Sequence, residues 1–337
     1  MNPILKIDKA LNTPVYQQII FTVQSRIKDG SLSLGSQLPS INQVAHDYNL
    51  ARETVVKAFK NLQSRGIICP VQGKGYFVSS VDFETENRIF LLFDTLSAYK
   101  EVIYNALKDR FGTDAFIDIY YHHFNFRMFE KLIRESAGNY LTYIVIAMEN
   151  ERLDEVLSFL PSEKLYLLDI KPESSSKAYS GVFQNFEQDI FQALSGVVNL
   201  CRKYSKLFLV FRNQITDPPL GLTRGFNLFC QTNRFDSQII LTSLSKRKVR
   251  KGEGYIVIDD EDLVYLVEHA RDTGLEIGSD LGIVSYNETP LKKIAANGIS
   301  VLSTDFSELG NQMAEMVLNN DKTIKYNSFR FINRNSF

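Results

Sequence analysis

Apolar residues in the first 80 positions follow two rhythms. Val15, Ile19, Val23 and Ile27 recur every four residues, which lines one face of a helix that begins beside Pro14 and ends at Gly30. Ser40 followed by Gln43 has the form of a capping box and opens a second, short helix with Ile41, Val44, Ala45 and Tyr48 turned inward. Asn49 supplies a turn. A third helix is predicted from about Ala51 to Arg65, with Val55, Phe59 and Leu62 as its buried stripe and Gly66 as its stop. Then a β-hairpin takes over. Ile67, Ile68 and Val71 lead into Gly73-Lys74-Gly75, and Tyr76, Phe77 and Val78 return.

Residues 79–87 are polar and patternless and read as a linker, centred on 81–87. Beyond them short apolar runs alternate with amphipathic stretches. Strands are predicted at Ile89–Phe93, Ile117–Tyr121, Tyr143–Ala147, Lys164–Leu168, Leu207–Phe211, Ser237–Thr242, Tyr255–Ile258, Leu281–Ser285 and Ile299–Thr304. Helices are predicted at Glu101–Phe111, Glu187–Tyr204, Asp260–Gly274 and Ser307–Asn319. Strands separated by helices indicate βαβ crossovers and parallel sheet covered on both faces. Residues 88–337 are too many for one small sheet, so two lobes are expected.

Composition narrows the classes. With 337 residues, 44% hydrophobic and 23% charged, the chain is ordinary globular material for two or three domains. No apolar run approaches the length of a membrane span and nothing at the start resembles a signal peptide, which predicts a cytoplasmic location. Cys69, Cys201 and Cys230 are far apart and lack C-x-x-C spacing, as expected of small hydrophobes rather than a disulfide or zinc framework. His122 and His123 would point to opposite faces of a strand, and no metal is expected.

The net charge of −1 hides an asymmetry. Residues 1–80 hold nine Lys and Arg against four Asp and Glu, or +5, so the remainder sums to −6. A basic head on an acidic body suits a polyanion-binding module joined to something that does not touch the polyanion. On a helical wheel Glu53, Val56, Lys57 and Lys60 face away from the buried stripe, with Arg52 near the helix start. That face suits the major groove: Arg52 and Lys57 for phosphates or guanine edges, Glu53 for cytosine N4. An isolated helix would show the same charges merely to solvent; the capped helix before it and the glycine-flanked Lys74 after it favour DNA.

Four motifs, PVYQQI, GSQLPS, LARETVVKAFKNLQSRGII and GKGYFV, occur in the order and spacing of the DNA-binding domain of GntR-type transcription regulators, which residues 12–78 resemble. The resemblance implies a winged helix-turn-helix over residues 1–80 and operator contacts from Ser40, Arg52, Thr54, Lys57, Lys74 and Gly75. Where that family often has an arginine, this chain has Asn42, which implies a weaker phosphate contact or a hydrogen bond to base or sugar.

The segment TGLEIGSDLGIVSYNETPLKKIAANGISVLSTDFSELGNQMAEMVL resembles the end of a LacI-type effector domain, the fold of type I periplasmic binding proteins, and the likeness extends loosely back to about Asn87. It implies two Rossmann-like lobes with a ligand in the cleft at the carboxyl ends of their strands. Asp94 and Thr95, Asp259 and Asp260, and Tyr286, Asn287 and Glu288 follow predicted strands and are therefore candidates to line it. The resemblance supports Asp94, Asp259, Asn287 and Asn185, and makes Arg224 a near match, since it directly precedes Gly225 where the usual spacing is three. Tyr99 and Phe186 are candidates to stack on a sugar face, or core residues. Asp and Asn at strand ends also serve as helix caps.

The expected architecture is an α+β winged helix-turn-helix head followed by an α/β two-lobed body of the periplasmic-binding-protein type. The expected activity is ligand-responsive transcription control by a homodimer on a palindromic double-stranded operator, with a small metabolite, a monosaccharide by resemblance, as effector and no cofactor. The alternatives are a non-sugar effector and an enzyme-like body. No G-x-G-x-x-G after a strand, G-x-S-x-G or Walker sequence is present. GntR-type heads also occur on pyridoxal-phosphate transaminase-like bodies, which are larger, and on chorismate-lyase-like bodies, which are about half this size. A regulator rather than an enzyme is expected.

Overall fold

The computed structural model describes residues 5, 7–8, 14–81, 87–113, 115–211 and 220–337. Linker residues 82–86 lie outside them. The chain forms two compact units. The first comprises Met1–Asp94, Phe111–Tyr166 and Pro172–Tyr179; the second comprises Thr95–Arg110, Leu167–Lys171 and Ser180–Phe337.

The head opens with α1 (Val15–Lys28), α2 (Ile41–Asp47) and α3 (Arg52–Ser64), followed by the antiparallel hairpin β1 (Ile68–Val71) and β2 (Gly75–Val78). Ser40 caps α2, its hydroxyl accepting from the Gln43 N–H at 3.1 Å. Asn49 takes the left-handed conformation, φ 48°, that turns α2 into α3. The predicted stripes meet in one core, in which Ile19, Val23, Ile27, Val44, Val55, Phe59, Leu62, Ile67 and Val78 are buried.

The chain continues through β3 (Asn87–Phe93), α4 (Ala98–Phe111), β4 (Ala115–Tyr121), α5 (Phe126–Ser136), β5 (Thr142–Val145), α6 (Leu153–Leu157), β6 (Leu165–Asp169), β7 (Gly181–Phe183), α7 (Phe186–Ser195) and α8 (Val198–Cys201). It ends with β8 (Lys206–Val210), α9 (Leu220–Asn233), β9 (Ser237–Ile240), β10 (Glu253–Val257), α10 (Asp260–Thr273), β11 (Leu281–Tyr286), β12 (Ser300–Thr304), α11 (Phe306–Leu318), β13 (Ile324–Tyr326) and β14 (Phe329–Ile332). Two six-stranded sheets result, ordered β13-β7-β6-β5-β3-β4 and β14-β12-β11-β10-β8-β9. Within these two sheets every pairing described is parallel except β12 with β14. Strands β6, β10, β11 and β12 are buried from end to end, as a sheet covered on both faces requires.

All nine predicted strands form, within a few residues of their expected ends. The expected helix Glu187–Tyr204 does not run through. It breaks into α7 and α8 at Gly196 and Val197, because glycine and a β-branched residue in succession both weaken a helix interior. Helices α5, α6 and α9 and strands β7, β13 and β14 had not been anticipated. In α9 the buried face includes Gly221 and Gly225, where a Cβ would stand 3.1 Å from the Glu187 nitrogen and 2.2 Å from the Glu187 carbonyl oxygen respectively. These glycines let α9 press against α7, and they also blur the apolar rhythm. Cys201 and Cys230 lie in the core, where burial pushes their thiols up to about 12 and about 11; Cys69 is half-buried.

Candidate functional site

The head presents its polar face at the start of α3. Arg52 is the first helical residue and is exposed, and its Nε donates to the Asn42 Oδ1 of α2 at 3.1 Å. The contact holds the guanidinium across the two helices and leaves its terminal nitrogens, the pair that matches guanine O6 and N7, outside that bond. Asn42 is thus engaged with Arg52 within the protein. Glu53, Lys57 and Lys60 are exposed on the outer face of α3 and Thr54 is half-buried. The Lys57 ammonium stands 3.9 Å over the ring of Tyr16, from α1. At the wing, Gly73 (φ 72°) and Gly75 (φ 103°) are both left-handed, which only glycine adopts without strain, and they carry exposed Lys74 at the tip. The Lys74 carbonyl accepts from Gln37 Nε2 at 2.6 Å, which pins the wing to the segment before α2. Tyr16 and Gln37 escaped the sequence reading, although both stand inside the quoted motifs.

In the second unit a buried polar chain links four elements. Lys100 of α4 donates to Asp169 at the end of β6 at 2.7 Å. The other Asp169 oxygen accepts from Gln184, just after β7, and the Gln184 Oε1 accepts from Thr304, at the end of β12, at 2.6 Å. All four residues are buried. Beside this chain, Tyr99 stacks on Phe306 with ring centroids 4.7 Å apart. A cavity of about 240 Å³ opens there, lined by Tyr99, Val102, Lys293, Thr304, Phe306 and Arg330 among others. The buried Tyr286 hydroxyl finds no hydrogen-bond partner among the described residues. Burial, then the charges of Asp189 and Asp169 and the Tyr99 phenol, push its pKa far above the ordinary tyrosine value. Burial also pushes the Asp189 carboxyl up to about 6, against the opposing pull of the Asn185 N–H that it accepts.

The expected ligand residues divide. Tyr99 lines the cavity. Asn287 sits in the left-handed region, φ 61°, directly before two lining residues, Glu288 and Thr289, and its buried Oδ1 has no hydrogen-bond partner among the described residues. Buried Lys292 fixes that tip by donating to the carbonyls of Tyr286 at 2.9 Å and Asn287 at 2.8 Å, and it pairs with Asp260 at 3.0 Å. Asn185 and Asp259 are the N-cap residues of α7 and α10. Exposed Arg224 on α9 is ion-paired with Glu187 on α7 at 2.8 Å. Asp94 is buried in the first unit, its carbonyl accepting from the His123 N–H at 2.7 Å. Of the expected residues, Tyr99 and Glu288 line the cavity itself. The strand-end argument, applied to Asp169 and Thr304, would have found half of the buried chain; Lys100, inside a helix, gave no signal.

Comparison with known proteins fits this geometry. Residues 15–78 match the profile of bacterial regulatory proteins of the gntR family, and residues 219–328 match that of the periplasmic binding protein-like domain. The chain joins a GntR-type head to a periplasmic-binding-protein-like body. The GntR-type head is 40% identical over 77 residues to the HTH-type transcriptional repressor STM4068 of Salmonella typhimurium, covering 23% of this chain and 32% of that one. It is 36% identical over 73 residues to a probable fructoselysine utilization operon transcriptional repressor of Escherichia coli, covering 20% and 30%. The chain therefore spans about a third of the length of these relatives. The periplasmic-binding-protein-like body shares its fold with the lac repressor dimer bound to operator and an anti-inducer, at TM-score 0.62 and 12% identity over 75% of this chain and 95% of that one. It shares it also with the trehalose repressor of Escherichia coli, at TM-score 0.61 and 10% identity over 74% and 100%.

Proposed function

We propose that this protein is a ligand-responsive transcription regulator, not an enzyme, that binds a palindromic operator as a homodimer and changes its grip on DNA when a small metabolite occupies the second unit. The observation that carries the reading is the Asn42–Arg52 pair at the start of α3, beside a glycine-flanked Lys74 wing, on a head with a net charge of +5. An exposed guanidinium held by one nitrogen at the start of α3 suits bidentate reading of guanine, and a wing lysine suits a phosphate. The repressor names of the curated relatives favour this class over catalysis. Two heads on half-sites about one helical turn apart would follow from a two-fold dimer.

The effector is proposed to be a sugar. The Tyr99–Phe306 stack offers a flat apolar wall, and Thr289, Lys293, Ser303 and Arg330 on the same cavity offer polar groups to a ligand rich in hydroxyls. Names of solved neighbours, a trehalose repressor and a probable maltose operon repressor, support this choice. A thermal-shift screen of the full chain against monosaccharides and sugar phosphates tests it, since a ligand at a hundred times its Kd stabilises by about 2.7 kcal/mol. Gel-shift titration of the same samples on duplexes selected from a random pool tests the regulator. A hit that leaves DNA affinity unchanged would refute the coupling.

A further inference from the structure

Helix α1 has two faces. Ile19, Val23 and Ile27 point into the head, while Gln17, Phe21 and Lys28, at i, i+4 and i+11, fall on one stripe of the opposite side. An outward stripe should be polar and wet. Instead Gln17 is 2% exposed, while Phe21 is an aromatic residue left 58% exposed. The reason lies in the loop between α5 and β5 of the same unit. A Cβ on Gly138 would stand 3.1 Å from the Gln17 Cβ and Cδ, a tight contact, and Gly138 has φ 81°, which favours glycine there. Further along, the Lys164 ammonium lies 5.3 Å over the Phe21 ring. Burial lowers the Lys164 pKa, against the opposing charge of Glu163 and with a smaller push from Lys28. At the other end, Gln17 Nε2 donates to the Tyr16 hydroxyl at 3.1 Å, and Tyr16 is the ring under Lys57 of α3.

We propose that the outer face of α1 is a docking surface that fastens the head to the body segments carrying Gly138 and Lys164, so that the head turns with those segments instead of swinging on its linker. Gly138 meets Gln17, Gln17 bonds Tyr16, and the Tyr16 ring lies under Lys57 of α3, while Lys164 covers Phe21 further along the helix. A movement of the segment carrying Gly138 therefore reaches α3 through Gln17 and Tyr16. Its consequence for DNA rests on the reading of the head given above; the dock itself does not.

The test is a disulfide between Gln17→Cys and Gly138→Cys in a full-length Cys69→Ser background. The Cβ spacing is a few tenths of an ångström short of the usual disulfide range, a gap that a small shift of the loop closes. Mild oxidation should cross-link most of the folded chain, far faster than the same chain in urea, and a saturating random-sequence duplex should leave the yield unchanged. Cross-linking no faster than in urea, or suppressed by the duplex, would overturn the proposal. Because Gly138→Cys strains a left-handed position, a second measurement leaves that glycine intact: Gln17→Cys should react with a maleimide about tenfold more slowly than exposed Ser25→Cys on the same helix. Equal rates would overturn the dock. Rapid cross-linking in a chain that shows no duplex binding would support the dock and overturn the DNA reading.

Discussion

Replacing Lys100 by methionine keeps the length of the side chain and removes its charge from a site where Lys100 and Asp169 are 1% and 6% exposed. At 2.7 Å and an effective dielectric of about 20, the two charges attract by about 6 kcal/mol. Taking both ions out of water costs several kcal/mol each, so the intact pair is close to neutral against an apolar replacement. One ion left alone has no such offset. Lys100→Met should therefore destabilise the fold by about 3–5 kcal/mol, because the buried Asp169 carboxylate keeps the neutral Gln184 amide but loses its counter-charge. Adding Asp169→Asn should recover at least half of that loss. Asparagine tolerates the left-handed backbone of Asp169, φ 73°, and its carbonyl still accepts from Gln184. The chain has no tryptophan, so urea unfolding followed by far-ultraviolet circular dichroism is the suitable assay. A loss below about 1 kcal/mol for Lys100→Met would mean that water screens the pair. A double variant no better than the single would mean that Lys100 acts by packing and not by charge.

Arg52→Ala should lose about 1–3 kcal/mol on a selected duplex and far less on random DNA, with Asn42→Ala shifting affinity the same way by less; equal losses on both would make Arg52 a phosphate contact. Lys74→Ala should weaken binding to every sequence and reduce the salt slope by about one. Because burial raises the folded carboxyl of Asp189 above its unfolded value, the folded state holds the extra proton, and that contribution to stability is present at low pH and lost as pH rises to about 6. Melting curves of Asp189→Asn should thus converge with wild type near pH 4 and exceed it at pH 7; a constant difference would rule out Asp189 as the titrating group. Gly225→Ala, whose methyl would meet the Glu187 carbonyl oxygen, should cost about 1–3 kcal/mol by overpacking, and an unchanged melting point would show that α7 and α9 separate easily.

Much of this molecule is written locally, and that part was readable. The stripe Val55, Phe59 and Leu62, the Ser40 cap and the glycine-flanked wing each depend on neighbours within a turn or a hairpin. Strands such as β10 and β11 announce themselves because burial on both faces makes the whole run apolar. Where a residue answers to a distant partner, the local signal fails. Gly221 and Gly225 serve the approach of α7 and spoil the pattern of α9. The short strands β13 and β14 are partly exposed and carry Lys325 and Arg330, so they lack the apolar run that marked the others. The Lys100–Asp169 pair spans 69 positions and the Gln184–Thr304 bond 120, separations set by strand order. Strand ends pointed to Asp259 and Asn287 by position, but which tips meet a cavity depends on packing that no single tip encodes.

The late strand β14 has a consequence for how the protein is made. The core of the head draws on nothing beyond Val78, whereas β12 gains its antiparallel neighbour only when Phe329–Ile332 has been synthesised, some 250 residues later. β12 itself is complete only at Thr304, about 25 residues before β14 begins, so at about 5–20 residues per second its edge stays bare for on the order of 1–5 s. Throughout that interval a head able to fold trails a sheet whose β12 edge is bare, and an unpaired strand edge is a template for pairing with another chain. The vulnerable moment of this chain falls during its own translation, and a stop codon between Thr304 and Phe329 would leave an intact head attached to a sticky edge.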